Sequence, residues 1–519
     1  MAQRQRYIVI FGEHQPPQVG QETSEFRAEA LDDAVNGLAR RHPLASAAVA
    51  FVPWQKYTAL TAAALTLAAA VLAPVTTLLV ITVLCTIGYI AMMADRLLLF
   101  TRGLDAAAIV TITDERARAL TDAELPLYTI LVPAYDEPEV VGDLIAAMTA
   151  LDYPPAKLQV LLLLEEDDEV TIAAAQAAGV SGIVDVVLVP ASDPRTKPKA
   201  CNYGLHFATG EIITIFDAED LPEPLQLRRV VAAFAQLPDT VACVQAKLAF
   251  HNGTQNLLTG WFTADYALWF GYLLPGLMRS TSPIPLGGTS NHLRADIIAE
   301  VGAWDGFNVT EDADLGVRIA ASGYSTAVLD STTLEEANSD PINWIRQRSR
   351  WYKGYLQTWL VHMRRPRQTL RALGMVGTYR FTLLLAGTPI TACINMIFWF
   401  TTAAWILGQP ALVAALFPPY IYYFSLVSLI IGNVATVYMY LIASRESDNA
   451  YLLVPSLTMP LYWVMMSVAA IKGCWQLVRN PSYWEKTFHG LSAPTGAGQT
   501  SLPPPQTELP APAGNEESQ

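Results

Sequence analysis

Three separated acidic sites and one cationic–aromatic run are the residues best suited to chemistry. Asp136 stands in PAYDE, Asp217 in FDAED, Asp312 in VTEDAD, and Gln347-Arg348-Ser349-Arg350-Trp351 in IRQRSRW. An acid-x-acid pair such as Asp217 and Glu219, placed after the apolar run IITIF, offers oxygen ligands for Mg2+ or Mn2+. Such ions prefer one or two carboxylates completed by substrate phosphates. A bound ion would neutralise a diphosphate as it leaves. Asp312 is the candidate general base, because a hydroxyl becomes a competent nucleophile when a nearby carboxylate takes its proton. The same stretch also reads as a helix start, with Thr310 as the cap and Asp312 in the first turn, and the two roles are compatible. Arg350 can pair with diphosphate oxygens in bidentate geometry. Trp351 offers a flat face to a sugar ring, although basic residues and Trp344, Trp351 and Trp359 also suit a helix lying on a membrane.

Five residues, Asp136 among them, carry weaker readings. Asp136 ends an apolar run and could accept hydrogen bonds from a nucleotide's base or ribose, or cap the helix that follows near Pro138. Glu165 and Glu166 end a second apolar run and on their own read as solvated loop acids. Lys197 and Lys199, in RTKPKACNYGL, precede a helix and could approach a phosphate or remain in solvent.

The elements that must position these residues are legible in outline. LYTILVPA, LQVLLLLEE, VVLVP and EIITIFDAED read as buried strands separated by helices. That alternation implies a parallel α/β sheet wound in the Rossmann manner, with the acids where such sheets bind ligands, outside the carboxyl ends of the strands. Apolar stretches flank this region. Tyr57 to Ala73 and Val75 to Met93, broken at Pro74, read as a membrane hairpin of about 20 residues per crossing. Arg4, Arg6, Arg40, Arg41 and Lys56 before it, with Arg96 and Arg102 after it, place both ends in the cytoplasm.

Further apolar stretches lie at 381–408, 417–443 and 451–475. The last, punctuated by Pro455 and Pro460, reads as interfacial or re-entrant, which keeps the C-terminal end cytoplasmic. The aromatic segment 257–278 reads as interfacial, since a crossing there would export Asp312. Only 15% of the 519 residues are charged and 52% are hydrophobic, a balance that fits a membrane protein. The net charge of −14 argues against a nucleic-acid partner. The five cysteines are scattered and read as buried thiols. The first residues lack the pattern of a secretory signal. A strand-like Tyr7 to Phe11 and a helix near Ala30 to Arg40 suggest a small α/β appendage, and the Pro-rich tail from Ser492 reads as disordered.

An acid, then an acid-x-acid, then TED, then QxxRW, in that order, resembles the processive membrane glycosyltransferases of family 2. That group contains cellulose, hyaluronan and chitin synthases. The resemblance implies a Rossmann-like GT-A domain between transmembrane helices, with amphipathic interface helices. Together with the apolar stretches, the expected division is a small cytoplasmic α/β appendage at 1–52, a hairpin at 53–100, a cytoplasmic GT-A domain at 120–340, interface helices with QxxRW at 341–380, further transmembrane and interfacial helices at 381–490 and a disordered tail at 491–519. By the same resemblance Asp312 is catalytic. Asp136, Glu166, Lys199 and Asp217 hold the donor, and Glu311, Gln347, Arg348, Arg350 and Trp351 the diphosphate and acceptor. Asp217 and Glu219 hold Mg2+ or Mn2+. The partners implied are a nucleotide-sugar donor of the UDP type, a growing glycan, the lipid bilayer of the plasma (inner) membrane, and an accessory export or regulatory subunit. PSYWEKTFHG near the C-terminus is similar to a segment of members without a fused regulatory domain. The pattern departs in DxE for DxD, which leaves Glu219 or Asp220 to complete the metal site, in LEEDD for an LDDG-like turn, and in lacking a C-terminal β-barrel with an RxxxR switch. Transfer of one sugar to a lipid carrier and a silent nucleotide-binding scaffold are the alternatives.

Overall fold

The computed structural model describes residues 16–179, 184–408, 411–446, 449–481, 483 and 485. The run Tyr7 to Phe11 and the tail from Ser492 lie outside the described residues. Helix α1 (Ser24–Arg41) begins at Thr23, whose side chain accepts the Phe26 N–H, and ends with Arg40 and Arg41 in its last turn. Both features suit the helix macrodipole and its unpaired terminal groups. Ala30 and Ala34 bury this helix in the main core with Tyr203 and Phe207. Two helices follow, α2 (Pro53–Leu72) and α3 (Pro74–Gly103). Pro74 is the first residue of α3, where its fixed φ and missing N–H cost nothing.

Among the described residues the sheet has eight strands: β1 (Tyr128–Ala134), β2 (Leu158–Glu165), β3 (Val184–Val189), β4 (Ile212–Ile215), β5 (Leu221–Pro222), β6 (Val241–Phe250), β7 (Asn291–Arg294) and β8 (Ser325–Glu335). Their order is β3-β2-β1-β4-β7-β6-β8-β5. β1, β2 and β4 are almost wholly buried, as strands covered by helices on both faces must be. β1 pairs parallel with β2 and β4, and β2 with β3. β7 runs antiparallel between β4 and β6. The sheet is therefore mixed, not wholly parallel as expected. β7 is the four residues NHLR, too short and too polar to show a strand period.

Eight helices complete the frame used below: α4 (Lys197–Leu205), α5 (Leu257–Leu268), α6 (Glu311–Ala321), α7 (Pro341–His362), α8 (Pro366–Phe381), α9 (Thr388–Gly408), α10 (Pro419–Glu446) and α11 (Met459–Arg479). Four stretches among the described residues are long and apolar enough to cross a bilayer: Pro74–Gly103, Pro366–Gly408, Ile421–Arg445 and Met459–Arg479. α2, with Gln55 and Lys56 near its start, is not among them. Its Leu60, Leu65, Leu67, Val71 and Leu72 are nonetheless each more than half exposed, an apolar surface suited to lipid.

α11 lies along α7. Tyr462 meets the Trp344 ring at a centroid distance of 4.9 Å. At Gly473 a Cβ would sit 2.7 Å from the Ser349 carbonyl oxygen, so only glycine permits the approach. α7 itself starts at Asp340, whose carboxylate accepts the Asn343 N–H at 2.7 Å, with Pro341 in the first turn. The segment read as interfacial contains α5, a π-helical turn at Trp269–Leu273 and the short helix Leu274–Arg279. It is buried against the sheet and packed on α3 and α10.

Candidate active site

A cavity of about 450 Å³ opens at the strand ends and runs on between the apolar helices. Asp217 and Glu219 enter it from the turn after β4, Gly288 and Thr289 from the approach to β7, and Glu335 from the end of β8. Glu311 and Asp312 enter from the first turn of α6. Gln347, Arg350 and Trp351 enter from α7, at the i, i+3 and i+4 positions that share a helix face. Farther along, the wall is Tyr89 and Met92 of α3, Thr391 and Asn395 of α9, and Thr436 of α10.

Asp312 is fixed by the Trp304 indole N–H, which donates to Oδ1 at 3.1 Å. Burial, reinforced by the Glu311 and Asp217 carboxylates, pushes the Asp312 carboxyl well above the usual range, against the pull of Lys197. Burial raises Glu311 as well. Thr310 occupies the cap position of α6, but its side chain makes no capping bond. Gly288 stands between the two charges. A Cβ there would lie 3.8 Å from Asp312 Oδ2 and 3.8 Å from Lys197 Nζ.

Lys197 pairs with Asp217 and donates to the Gly288 carbonyl. Lys199, the lysine expected here, does not reach the cavity, whereas Lys197 lines it. Lys199 is fully buried, bonded to Glu165 Oε2 at 2.7 Å. Residues two apart on a helix point about 160° from each other, so α4 can present only one of the two lysines to the cavity.

Asp217, Glu219 and Asp220 also differ in direction. Asp220 is buried with its Oδ2 accepting the Asp217 N–H at 2.7 Å and the Thr289 hydroxyl. Asp217 and Glu219 line the cavity, and Asp220 does not. Among the described residues no three His, Cys, Asp or Glu side chains gather as a metal site. Asp217 and Glu219 fit an ion whose remaining ligands are phosphate oxygens and water.

Asp136 and Glu166 lie at the ends of the adjacent strands β1 and β2 but outside the cavity wall. Asp136 is exposed with φ 56°, and its N–H donates to Asp168 Oδ2 at 2.6 Å. Glu166 accepts from Arg27 of α1 at 2.7 Å and from the Ala191 N–H at 3.0 Å. Arg348 borders the cavity but its guanidinium is bonded to Asp265 of α5. Four acids of the wall escaped the sequence reading: Asp95, Asp265, Glu335 and Glu336. An acid ending a strand, as in STTLEE, was a usable signal for Glu335. An acid inside an aromatic helix was one for Asp265.

A mixed α/β sheet of this strand order, with acids, a lysine and an arginine gathered at its strand ends, is a GT-A-like fold, and it stands beside helices long and apolar enough to cross a bilayer. Residues 126–354 match the family model described as Glycosyltransferase like family 2, and they are a family 2 glycosyltransferase domain. The probable glycosyltransferase YdaM of Bacillus subtilis (strain 168) is 25% identical over 234 residues, 44% of this chain and 56% of that protein. The beta-monoglucosyldiacylglycerol synthase of Synechocystis sp. is 27% identical over 269 residues, 50% of this chain and 55% of that protein. The catalytic subunit of cellulose synthase 1 from Komagataeibacter xylinus is 27% identical over 244 residues, 46% of this chain and 32% of that protein. The chain thus spans about half the length, or less, of these relatives. Among solved structures, the mannosyltransferase PcManGT from Pyrobaculum calidifontis, in complex with GDP-Man and Mn2+, is 18% identical with a TM-score of 0.45, covering 76% of this chain and 99% of that one.

Proposed function

We propose that the chain is an inverting, processive synthase that draws sugar from a nucleotide-sugar donor and extends a β-linked polysaccharide across the plasma (inner) membrane. The observation that carries this reading is the continuity of the cavity. It leads from Asp312 past Trp351 to a wall of Thr391, Asn395, Thr436 and Tyr89 between apolar helices. Hydroxyl, amide and aromatic groups along a path through apolar helices suit a glycan leaving the site. The similarity to a cellulose synthase subunit supports the same reading.

In this reading Asp312 accepts the proton of the acceptor hydroxyl as the oxygen attacks the anomeric carbon from the face opposite the leaving diphosphate. Its raised proton affinity strengthens it as a base. Lys197 and Arg350 hold diphosphate oxygens as negative charge develops on them, a contribution that is large in a water-poor site. Trp351 stacks on the terminal sugar, and Gln347 on the same helix face hydrogen-bonds it. Asp217 and Glu219 would hold Mg2+ or Mn2+, which supplies charge neutralisation to the departing nucleotide diphosphate. Asp136 and the acids after β2 would hold the nucleoside of a UDP-linked donor, and an accessory subunit would complete export.

A second reading is the transfer of one sugar to a lipid. It is favoured by the opening of the cavity between apolar helices and by the similarity to a glucosyldiacylglycerol synthase. The test is product size. Purified chain in lipid nanodiscs is incubated with Mn2+ and a panel of UDP- and GDP-sugars. Polymer from one donor is the expected result, and a product limited to a single-sugar lipid overturns processivity.

A further inference from the structure

Arg348 sits against the cavity wall with its guanidinium in a cage of its own. Nη2 donates to Asp265 Oδ2 at 3.0 Å and to the Tyr462 hydroxyl at 2.8 Å. The guanidinium carbon stands 4.7 Å from the centre of the Trp351 ring, with Phe262 and Trp344 at 5.2 and 5.3 Å. The other oxygen of Asp265 accepts from the Tyr440 hydroxyl at 3.0 Å, and that hydroxyl accepts from Arg96 at 3.1 Å. The Arg348 and Asp265 side chains are only 11% and 16% exposed. One carboxylate on α5 therefore ties a cation on α7 to a tyrosine on α10 and, through it, to α3.

This geometry is not that of a phosphate ligand. Arg350, two residues on, points about 160° away around the helix, which leaves Arg348 facing α5 and α11. A guanidinium over an aromatic face is attracted by the ring's quadrupole, and more so when water is excluded. The cation thus holds the Trp351 ring from one side and leaves the rest of the ring to the cavity. We propose that Arg348 is a positioning residue: locked by Asp265, it orients the Trp351 ring that receives the acceptor sugar and couples that ring to helices α3 and α10. The inference rests on the reading of Trp351 as the acceptor platform.

The experiment uses the full chain in lipid nanodiscs, with UDP-sugar donors and cello-, chito- and mannotetraose as acceptors. Nucleotide release gives separate KM values for donor and acceptor, and UDP affinity is measured directly. Asp265→Asn is expected to raise the acceptor KM about tenfold, the scale of a desolvated cation–π contact, with UDP affinity changed by no more than about twofold. Asp265→Glu, which keeps the charge, recovers most of the wild-type acceptor KM. Removing one member of a buried pair strands the other charge and can prevent folding. The double variant Asp265→Asn/Arg348→Gln removes both members of the pair, and it too is expected to show the raised acceptor KM. A fall in UDP affinity as large as the rise in acceptor KM overturns the inference and returns Arg348 to the diphosphate. An unchanged acceptor KM in a variant that still transfers sugar overturns the inference alone. A wild type that releases nucleotide from none of the donors overturns the transferase reading and this inference with it.

Discussion

Asp312 works under opposing influences. Its place in the first turn of α6 favours the anion, while burial and Glu311 favour the proton. A base that holds its proton more tightly than an ordinary aspartate loses competence sooner as pH falls. The acid limb of the pH–rate profile is therefore expected above the ordinary aspartate value of about 3.9, with activity lost as pH falls through the raised value. A profile of nucleotide release from pH 4 to 9 checks this. Asp312→Asn keeps an acceptor for the Trp304 indole but cannot take a proton. Its expected effect is a loss of about 10²–10⁴-fold in turnover with nucleotide affinity retained, read by release kinetics beside equilibrium UDP binding. At this scale motif spacing picked out residues that meet: Asp217, Glu219, Glu311, Asp312, Gln347, Arg350 and Trp351 come from three segments and line one cavity. It failed where the answer depends on which way a side chain leaves its helix. Lys197 and Lys199 have the same local composition, and only the phase of α4 separates the one that faces the acids from the one that fills the core.

The helices carry the site by close backbone approach, and α7 against α11 is one such case. Glycine inside a helix ordinarily costs about 0.5–1 kcal/mol relative to alanine, so Gly473→Ala would stabilise an isolated helix. Here the added carbon meets the Ser349 carbonyl oxygen at 2.7 Å and the Lys353 nitrogen at 3.3 Å. The expected sign is reversed, a destabilisation of about 1–3 kcal/mol, seen as a lowered unfolding temperature in nanodiscs.

A second joint lies at Asp305, which accepts from the Ser46 hydroxyl at 3.0 Å and from the N–H groups of Ala47 and Phe307. Burial pushes this carboxyl up to about 6. The folded state therefore binds its proton more tightly than the unfolded state does. Its stabilising contribution is complete below the ordinary value of about 3.9 and is lost as pH rises through the folded value. The difference in unfolding temperature between wild type and Asp305→Ala should accordingly shrink between about pH 4 and pH 6, the interval that separates the two values. The sequence revealed the parallel strands because β1 and β2 are continuous apolar runs. It hid β7, whose pairing with β4 and β6 is decided by tertiary contacts and not by its own four residues.

For the molecule as a whole, what travels along the path from acids to apolar helices would separate chain extension from single transfer. Ala392 lines that path on α9. Ala392→Trp is expected to shorten the product more than it slows the first transfers, as measured by gel-resolved product length beside initial nucleotide release. Equal losses in both would speak against the path carrying product. The pairing of Lys197 with Asp217 has a kinetic side as well. The chain already supplies a counter-charge to its own carboxylate, so Lys197 releases Asp217 most readily when a diphosphate offers the ammonium oxygens in exchange. On the proposed reading, arrival and departure would thereby be ordered: Asp217 and Glu219 would take up a cation only as the nucleotide draws Lys197 away, and the spent nucleotide diphosphate, which would make the same exchange, would compete with its own replacement.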